Sequence, residues 1–572
     1  MRFEILERDG LARTGVLEID GVKHSTPAMA YAVDRIPAGL GVGMRMSPSG
    51  AAGKGDLKVP ASGFRPDGAG TEVDGTLDPW FRGSPYADPR PEGGFAVLDG
   101  IVKSLLDSPR FVEAIKKTKS GPDLLKPMFC SLAGMPHRLA LLAYCGVDVF
   151  DSIPLIMASE TGRYLTTSGP LDYSALKHLP CACEACRSGT RDKEELLRHN
   201  IATAEAELKL VSHMISQGRL RELAEIRVRA DPWLVQDLRL MDMGAYDLQE
   251  MHAPVKGAAF HAGSKESLLR PEIVRWQNRL KERYRRPEGA SVLLLIPCSA
   301  KKPYSLSKSH MRFRDAVFSS GRAPLVHEVI VTSPLGLVPR ELELFYPAQD
   351  YDIPVTGHWD RDEQKLAQDM VSWLVGTQRY DLVISHLGDE RDAVAGVLGE
   401  HMDTSGGDPG SRSSLDLLEQ TLREHCPETR DARRGGRAFE DLRSICRFQF
   451  GSAGDELCAG ADSFGRWPFV KVVRGGSQLG MLTPDRGMVS LTVDGAQALA
   501  RSGAYCVEIE DFRPKGNLFA VGVEDASPEV RVGDDVAVVH DGDVRAVGVA
   551  RMCAAELRIA QRGEAVHIRH AA

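Results

Sequence analysis

The sequence predicts a multidomain α/β protein, and three observations support that prediction. The chain has 572 residues, far above the usual size of one domain. Apolar strand-like runs alternate with helical runs over residues 126–152 and again from residue 291 onward, which is typical of parallel α/β units. From about Gly435 the pattern changes to short strands separated by glycine turns.

The composition excludes several classes of protein. Hydrophobic residues make up 43% of the chain and charged residues 26%, which excludes a fibrous or wholly disordered protein. No apolar run approaches the ~20 residues that cross a bilayer, and the first residues, MRFEILERDG, are too charged for a secretory signal. We therefore expect a cytoplasmic protein without membrane contact. The net charge of −8 neither requires nor excludes nucleic acid.

The first α/β region has two carboxylates at the end of a strand. MRFEILERDG, RTGVLEIDG and KHSTPAMAYAV predict strands, and an amphipathic helix is expected over residues 98–119. KPMFCSLAG and VDVFDS then predict buried strands on either side of the helix HRLALLAYCG. The second of these strands carries Asp148 and Asp151. By position alone, such carboxylates are more often structural than catalytic.

A cysteine cluster follows, and it indicates a metal site. Three cysteines lie within six residues, at Cys181, Cys183 and Cys186. In a cytoplasmic protein this spacing favours metal binding over a disulfide, and Zn²⁺ prefers four thiolate or imidazole ligands in a closed tetrahedron. His199 and His213 lie four turns apart on the helical stretch 191–227, so one ion can bind only one of them. The alternative is a group of buried free cysteines.

This region resembles the C-terminal half of a tRNA-guanine transglycosylase barrel. The resemblance lies in GVDVFDSIP, PCACEAC, RHN and His213. It implies that Asp151 matches the family's aspartate nucleophile, that His199 is not a ligand, and that the structural zinc ligands are Cys181, Cys183, Cys186 and His213. The Asp-Ser-Gly-x-Phe-Gln motif that supplies the family's other catalytic aspartate is absent, and the most similar segment is PEGGFAVLDG. We therefore expect a truncated TIM-barrel-like domain, with base exchange as an alternative activity.

The second α/β region places a cysteine in a cationic loop. The apolar strand SVLLLIP leads into PCSAKKPYSLSKSH, which surrounds Cys298 with lysines, serines, a tyrosine and a histidine. Ligands of open α/β sheets bind outside the carboxyl ends of the strands, where this loop lies. Neighbouring ammonium groups favour the nucleophilic thiolate, and His310 can exchange protons near neutral pH. The alternative is a loop that clamps phosphate. His358 and Asp389 are candidates to line the same pocket.

The loop also resembles the motif of archaeosine synthase, the archaeal paralogue of the transglycosylase. The motif is Pro-Cys-x3-Lys-Pro-Tyr-x2-Ser-x2-His, and its fixed positions are all present, at Pro297, Cys298, Lys302, Pro303, Tyr304, Ser307 and His310. The resemblance covers essentially the whole chain. It implies that an amine is added to the nitrile of 7-cyano-7-deazaguanine at position 15 of tRNA. The donor is lysine, with a radical-SAM partner that cleaves the adduct afterwards, or it is glutamine.

The expected catalytic residues follow from this resemblance. Cys298 adds to the nitrile to form a thioimidate, His310 protonates the nitrogen, and the amine displaces the sulfur. The candidate catalytic set is completed by Lys302, Tyr304 and Ser307, together with Asp151 from the first region. Direct amine attack without Cys298, and a non-catalytic tRNA-binding subunit, are the alternatives. The sequence leaves open a homodimer.

The C-terminal region resembles a PUA domain, a small RNA-binding β barrel. The resemblance lies in the opening helix that ends at Gly503, the hairpin VAVVHDGDVRAVGVAR and the closing strand RGEAVHIRH. It implies contact with the acceptor-stem end of tRNA, where phosphates could meet Arg551, Arg562 and Arg569. We predict four domains, which are a transglycosylase-like domain with zinc over 1–285, an α/β catalytic core over 286–425, a small α+β linker (C2-like) domain over 426–492, and the PUA domain over 493–572.

Overall fold

A computed structural model divides the chain into two compact units. The structure describes residues 1–32, 36–37, 39–59, 91–98, 107–355, 358–427 and 436–572. One unit comprises residues 1–253 and 559–563, and the other comprises 254–558 and 564–572. The second unit thus begins before the expected boundary at residue 285, because the helix Pro271–Arg283 buries Trp276 against Phe448 of that unit. The finer domain boundaries stay predictions.

The first unit combines short strands with mostly longer helices. Its strands are β1 (Arg2–Asp9), β2 (Ala12–Ile19), β3 (Val22–Thr26), β4 (Ala28–Ala32), β5 (Met44–Pro48), β6 (Leu57–Val59), β7 (Ala96–Leu98), β8 (Met128–Cys130), β9 (Val149–Asp151), β10 (Arg163–Thr166) and β11 (Gly169–Asp172). Its helices are α1 (Ser108–Thr118), α2 (Pro136–Tyr144), α3 (Ile153–Glu160), α4 (Glu184–Ser188), α5 (Lys193–Ser216), α6 (Leu220–Arg227), α7 (Pro232–Gly244) and α8 (Tyr246–His252).

Parallel strands form the main sheet of this unit, in the order β6-β5-β4-β9-β8-β7. Of the six strands in this sheet, β4 comes first in the chain and pairs with β9, which comes last. The other four follow in chain order on either side. This is the strand order of a barrel that is open between β6 and β7, and residues 60–90 between them lie outside the described part. Strands β8 and β9 are buried throughout, as parallel strands covered on both faces are. The half-barrel sheet agrees with the truncated barrel that the sequence predicts.

The remaining elements of the first unit follow the sequence pattern closely. Strands β1, β2 and β3 form an antiparallel sheet. The stretch 191–227 folds into two helices, α5 and α6, because Gly218 at a φ of +64° interrupts it. Of the helix expected over 98–119, α1 accounts for the C-terminal half, and residues 99–106 lie outside the described part.

The second unit contains the rest of the elements. Its strands are β12 (Phe260–His261), β13 (Val292–Pro297), β14 (Val326–Thr332), β15 (Gly336–Pro339), β16 (Tyr351–Asp352), β17 (Leu382–Ser385), β18 (Met402–Asp403), β19 (Asp462–Arg466), β20 (Phe469–Arg474), β21 (Ser477–Leu482), β22 (Val489–Leu491), β23 (Cys506–Ile509), β24 (Leu518–Phe519), β25 (Val523–Ala526), β26 (Asp535–His540), β27 (Asp543–Ala550) and β28 (Glu564–Ala571). Its helices are α9 (Pro271–Arg283), α10 (Lys308–Ser319), α11 (Arg361–Thr377), α12 (Arg391–Val394), α13 (Arg412–His425), α14 (Gly436–Phe450), α15 (Ser452–Cys458), α16 (Val493–Ser502) and α17 (Ala554–Leu557).

A sheet of order β15-β14-β13-β17-β18 forms the centre of the second unit. Strand β13 lies in the middle, parallel to both β14 and β17, and only the edge strand β15 runs antiparallel. Its side chains from Val292 to Ile296 are fully buried, which is why the sequence of β13 is continuously apolar. The carboxyl ends of β13, β14 and β17 therefore meet at one edge of the sheet.

The C-terminal part of this unit is mainly antiparallel. Strands β19 to β22 form one sheet, and a second has the order β24-β28-β27-β26-β23-β25. Helix α16 begins where Thr492 accepts a hydrogen bond from the Gly495 amide, and it ends at Gly503, whose φ of +67° is left-handed. Among the described helices, none combines the length and the hydropathy that crossing a bilayer requires.

Candidate active site

The loop after β13 places Cys298 at the carboxyl edge of the central sheet. Pro297 is aligned with Val331 of β14, so Cys298 lies beside Thr332 at the end of that strand. The two side chains are within hydrogen-bonding reach. Cys298 is partly buried and packs against the main core of the second unit. The nucleophile position that the sequence predicts thus lies where open α/β sheets bind their ligands.

Cys298 opens onto a cleft of about 680 Å³. The cleft is also lined by Ser333, His358, Trp359, Asp389 and Glu390. His358 and Asp389 therefore lie where the sequence analysis expected them. A cleft of this volume is in the range that binds small molecules and the reactive parts of larger substrates.

Burial dominates the electrostatics of the Cys298 thiol. Desolvation raises the pKa of Cys298, and the negative charge of Glu390 adds to that effect. The Thr332 hydrogen bond and the positive charge of Lys302 lower the pKa, but by less. The expectation that the lysines favour the thiolate is therefore wrong for the cleft without its substrates. Lys301 and Lys308 are exposed, and solvent screens them.

Lys302 and Tyr304 belong to a buried aromatic wall behind the thiol. The Lys302 ammonium lies 4.0 Å from the centroid of the Tyr351 ring and 5.8 Å from that of Tyr304. The two tyrosine hydroxyls are 2.6 Å apart, and that of Tyr351 is 2.7 Å from the Thr332 hydroxyl. Burial lowers the pKa of Lys302, which makes its neutral amine more accessible than that of an exposed lysine.

Ser307 serves as a helix cap. Its hydroxyl accepts a hydrogen bond of 3.2 Å from the backbone amide of His310, which starts helix α10. The side chain is 3% exposed, and it faces the helix terminus. The expectation that Ser307 acts in catalysis is not supported by this geometry, because the hydroxyl is occupied by the cap.

His310 is held in its neutral form. Its Nδ1 accepts a hydrogen bond of 2.8 Å from Arg340, whose guanidinium also pairs with Glu328 and Glu343. Burial, with a contribution from the Arg340 charge, lowers the pKa of His310 to about 2. Both effects disfavour the protonated ring, and the role of His310 as the proton donor of the reaction stays a prediction. Its ring stacks on Tyr304, with the centroids 5.3 Å apart, so it positions the aromatic wall.

Asp151 ends the central strand β9 of the first unit, and backbone amides satisfy its carboxylate. Oδ1 accepts from Ile153 N–H at 2.9 Å and Oδ2 from Leu132 N–H at 2.5 Å. The side chain is fully buried. The neighbouring carboxylate, Asp148, accepts two hydrogen bonds from Arg13 at 2.8 and 2.9 Å. Both carboxylates thus hold the ends of strands, and the catalytic role implied for Asp151 stays a prediction.

The cysteine cluster comes together in the first unit, with a different histidine from the one expected. The ligand atoms of Cys181, Cys183, Cys186 and His199 all lie within 4.8 Å of one another. His199 Nδ1 is 3.5 Å from Cys183 Sγ and 3.4 Å from Cys186 Sγ. His213 is exposed and lies roughly 21 Å further along α5, at 1.5 Å per residue. The prediction of His213 as the fourth ligand is therefore wrong.

The surroundings of His199 fit a metal ligand. Its Nε2 donates a hydrogen bond of 2.9 Å to the Leu165 carbonyl, which leaves the lone pair of Nδ1 facing the sulfurs. Burial lowers the pKa of His199 and so favours the neutral ring that binds metals. The Tyr164 ring stacks on the imidazole with the centroids 3.7 Å apart. A group of three sulfurs and one imidazole nitrogen suits a tetrahedral ion with bonds of roughly 2.0–2.3 Å.

Several residues of these sites were not predicted. Thr332, Tyr351 and Arg340 are adjacent to the motif in space but follow it by many residues in the chain. Glu390 stands next to Asp389 in HLGDE, and His199 stands in RHN, so sequence signals existed for these two. The order of strands in the sheet decides which distant residues contact the loop, and residue spacing along the chain does not carry that order.

Three family models match this chain. The model described as queuine tRNA-ribosyltransferase matches residues 92–232, a domain of unknown function (DUF5591) matches residues 273–422, and the PUA domain matches residues 509–572. The first match contains Asp151 and the cysteine cluster, and the second contains the whole Cys298 loop. The transglycosylase-like and PUA parts that the sequence predicts are thereby confirmed.

Curated relatives decide the family. Archaeosine synthase subunit alpha of Methanosarcina acetivorans is 36% identical over 500 residues, covering 83% of this chain and 79% of that protein. Archaeosine synthase of Haloferax volcanii is 34% identical over 593 residues and covers 99% of both chains. This chain belongs to the archaeosine synthase family. It is thus a member of a family of tRNA-modifying transferases, as its Cys298 motif indicates.

The archaeosine synthase family is related to a second enzyme type. The tRNA-guanine(15) transglycosylase of Methanobrevibacter smithii is 27% identical over 501 residues, covering 82% of this chain and 71% of that enzyme. That similarity includes the half-barrel, where backbone amides donate hydrogen bonds to the Asp151 carboxylate. In the second unit of this archaeosine synthase family member, a cleft opens beside Cys298.

Proposed function

We propose that this protein adds a primary amine to the nitrile of 7-cyano-7-deazaguanine at position 15 of tRNA, forming an amidine precursor of archaeosine. The observation that carries the proposal is the Cys298 thiol on the lining of the cleft, close enough to Lys302 for that charge to act on it. A thiol is a soft nucleophile that suits a nitrile carbon, and phosphate binding alone would need neither the thiol nor a cleft. Family membership supports tRNA as the macromolecular substrate.

The first step forms a thioimidate. Cys298 Sγ bonds to the nitrile carbon, one π pair moves to the nitrogen, and the thiol proton passes to that nitrogen through Lys302. We assign this role to Lys302 because burial lowers its pKa, whereas the hydrogen bond from Arg340 disfavours a proton on His310 Nδ1.

The second step transfers the carbon to the amine. The amine nitrogen bonds to the thioimidate carbon, the C–S bond breaks, and the sulfur regains a proton that the amine releases. The product is an N-substituted amidine, and no oxidant or reductant is consumed. We propose lysine as the donor and glutamine as the alternative. The relative named subunit alpha supports a separate partner subunit, which we assign to the later radical-SAM cleavage of the adduct.

We also propose that Cys181, Cys183, Cys186 and His199 bind a structural Zn²⁺. All four positions of a tetrahedron are then filled by protein atoms, so the ion has no open site for a substrate. Its contribution is to tie helix α4 to helix α5 and to the hairpin β10–β11 through Tyr164 and Leu165. Such sites can contribute ~10–16 kcal/mol to folding.

We also propose that the PUA domain binds the acceptor end of the tRNA. We place this domain over 493–572, after a core over 286–425 and a linker domain over 426–492. Arg551 and Arg562 are exposed and can meet phosphates. Arg569 pairs with Asp535 and donates to the Leu491 carbonyl, so it holds β28 to its own unit. We therefore leave Arg569 out of the proposed RNA contacts.

Mass spectrometry of tRNA nucleosides tests the proposed function. The protein is incubated with 7-cyano-7-deazaguanine-containing tRNA and isotopically labelled lysine, and the expected product is a nucleoside heavier by one whole lysine. An unchanged nitrile with lysine and then with glutamine would contradict the proposal and favour a tRNA-binding subunit. Incorporation of labelled guanine into unmodified tRNA would instead indicate base exchange at the half-barrel.

A further inference from the structure

One wall of the cleft that Cys298 lines is acidic. Strand β17 ends at Ser385, and the turn that follows brings Asp389 and Glu390 to the cleft that Cys298 lines. Glu390 is half-buried, and its charge is close enough to raise the pKa of the Cys298 thiol. Burial also raises the pKa of Glu390 itself, which makes the carboxylate a stronger base.

The cations around this wall are engaged elsewhere. Arg391, the next residue, donates to Asp403 at 2.9 Å and also pairs with Asp392. Lys265, on the cleft lining, pairs with Asp362 at 3.0 Å and with Asp360 at 3.5 Å. Within the described part of the chain, no lysine, arginine or histidine side chain forms an ion pair with Glu390. A half-buried carboxylate in this state is favourable for an incoming cation.

The Glu390 carboxylate by itself raises the pKa of the Cys298 thiol and so lowers the fraction of nucleophilic thiolate. A negative charge beside a thiol disfavours the thiolate, so Glu390 adds to the burial that raises the pKa of Cys298. An ammonium group bound to Glu390 would offset that charge and bring the thiolate within easier reach. This arrangement favours a reaction in which the amine donor is a cation and binds before the thiol attacks the nitrile.

We propose that Glu390 binds the ammonium group of the amine donor and takes its proton, which selects primary alkyl amines that are cationic at neutral pH, the class to which lysine belongs. This inference rests on the proposed addition of an amine to a nitrile. An ammonium ion has no lone pair and cannot attack the thioimidate until a base removes one proton. Glu390 is that base.

The proton balance closes without a further reactant. The ammonium gives one proton to Glu390, and the neutral amine bonds to the thioimidate carbon. As the C–S bond breaks, Glu390 returns the proton to the sulfur of Cys298. The nitrile and the ammonium ion together become one amidinium cation, and Glu390 and Cys298 end in their starting states. The cationic product also remains next to the Glu390 carboxylate until it leaves.

The test compares the wild-type protein with Glu390→Gln and with Glu400→Gln as a matched control. Glu400 is exposed and is not among the residues that line the cleft, so removing its charge should leave lysine use unchanged. Calorimetry of lysine binding to the tRNA-free protein and steady-state rates with nitrile-containing tRNA are measured for all three. We expect Glu390→Gln to weaken lysine binding and to raise the KM for lysine by roughly 10- to 100-fold, while thermal unfolding stays at the wild-type temperature.

Hydroxylamine provides the decisive second measurement. It is a primary amine that is uncharged at neutral pH, so it needs neither the ion pair nor the base. Glu390→Gln should react with hydroxylamine at the wild-type rate although it is impaired with lysine. Equal losses with both amines, or wild-type use of lysine by Glu390→Gln, would overturn the assignment.

The two proposals can fail separately. If the wild-type protein forms no lysine adduct, the proposed function fails, and the calorimetric comparison still decides whether Glu390 binds a cationic amine. Unchanged lysine affinity in Glu390→Gln would refute the role of Glu390 even in an active enzyme. A loss of affinity confined to Glu390→Gln and absent in Glu400→Gln would support it.

Discussion

Asp151 and Cys298 occupy equivalent places in two different sheets, yet their surroundings differ. Each lies at the carboxyl end of a strand in the middle of a parallel sheet. Backbone amides satisfy both oxygens of Asp151. Cys298 opens onto a cleft of about 680 Å³ that Glu390 also lines, and the charge of Lys302 acts on its thiol. Position at the carboxyl edge is therefore insufficient to identify a nucleophile, which also needs atoms not already bound by the fold.

The comparison also separates two kinds of histidine. His199 turns a lone pair toward three sulfurs, and the Leu165 carbonyl fixes its orientation. His310 turns its lone pair toward the guanidinium of Arg340, which disfavours protonation. Burial lowers the pKa of both rings, but the group that faces each Nδ1 makes one a metal ligand candidate and the other a positioning residue.

The largest effect is expected from removing the thiol. Cys298→Ala should lower the rate of lysine transfer by about 10³-fold or more, because the thioimidate cannot form. Binding of the tRNA, measured by filter retention, should stay at the wild-type affinity. Substantial turnover by this variant would favour direct attack of the amine on the nitrile and would contradict the assignment of Cys298 as the nucleophile.

Breaking the metal cluster should act on stability. Cys186→Ser or His199→Ala should release the metal, measured by elemental analysis, and lower the unfolding temperature of the first unit, because a closed site contributes to folding. His213→Ala should retain the metal and the unfolding temperature, since that side chain is exposed on the same helix. Metal retention in His199→Ala with loss in His213→Ala would reverse our ligand assignment.

The pH dependence of the reaction should report the Cys298 thiol. Because burial and Glu390 raise its pKa, the thiolate fraction of the free enzyme should rise about tenfold for each pH unit across the neutral range. The logarithm of kcat/KM for tRNA should therefore increase with pH at a slope near one. A profile that is flat across neutral pH would mean that the thiolate is already formed, contrary to the structure.

Replacing His310 should cause a smaller loss that does not change with pH. His310→Gln removes the ring that supports Tyr304 and the acceptor of the Arg340 hydrogen bond, so the rate should fall roughly 10- to 100-fold through misplacement of the loop. The shape of the pH profile should stay as in the wild type. Disappearance of an acidic limb in the variant would instead identify His310 as a proton donor.

The smallest effect on activity is expected at Asp151. Asp151→Ala leaves two buried amides without acceptors, so the free energy of unfolding should fall by about 1–3 kcal/mol for each unsatisfied group. The rate of lysine transfer by the folded fraction should match the wild type. A loss of rate comparable to that of Cys298→Ala would indicate that the half-barrel takes part in the reaction.

The sequence by itself determined the elements and the family. Continuous apolar runs predicted the buried strands β8, β9, β13, β14 and β17, because parallel strands buried on both faces admit few polar residues. The fixed positions of the Cys298 motif indicated the archaeosine synthase family, and the spacing of three cysteines indicated the metal cluster. These features are local, so adjacent residues carry them.

Only the tertiary structure decided which residues act on one another. It chose His199 over His213, because the hairpin β10–β11 and helix α4 bring the sulfurs to one turn of α5 and not to the other. It brought Arg340, Tyr351 and Glu390 to the Cys298 loop from separate strands and turns. It also reversed the expected charge balance at the thiol, because desolvation depends on burial, which residues far apart in the chain create together.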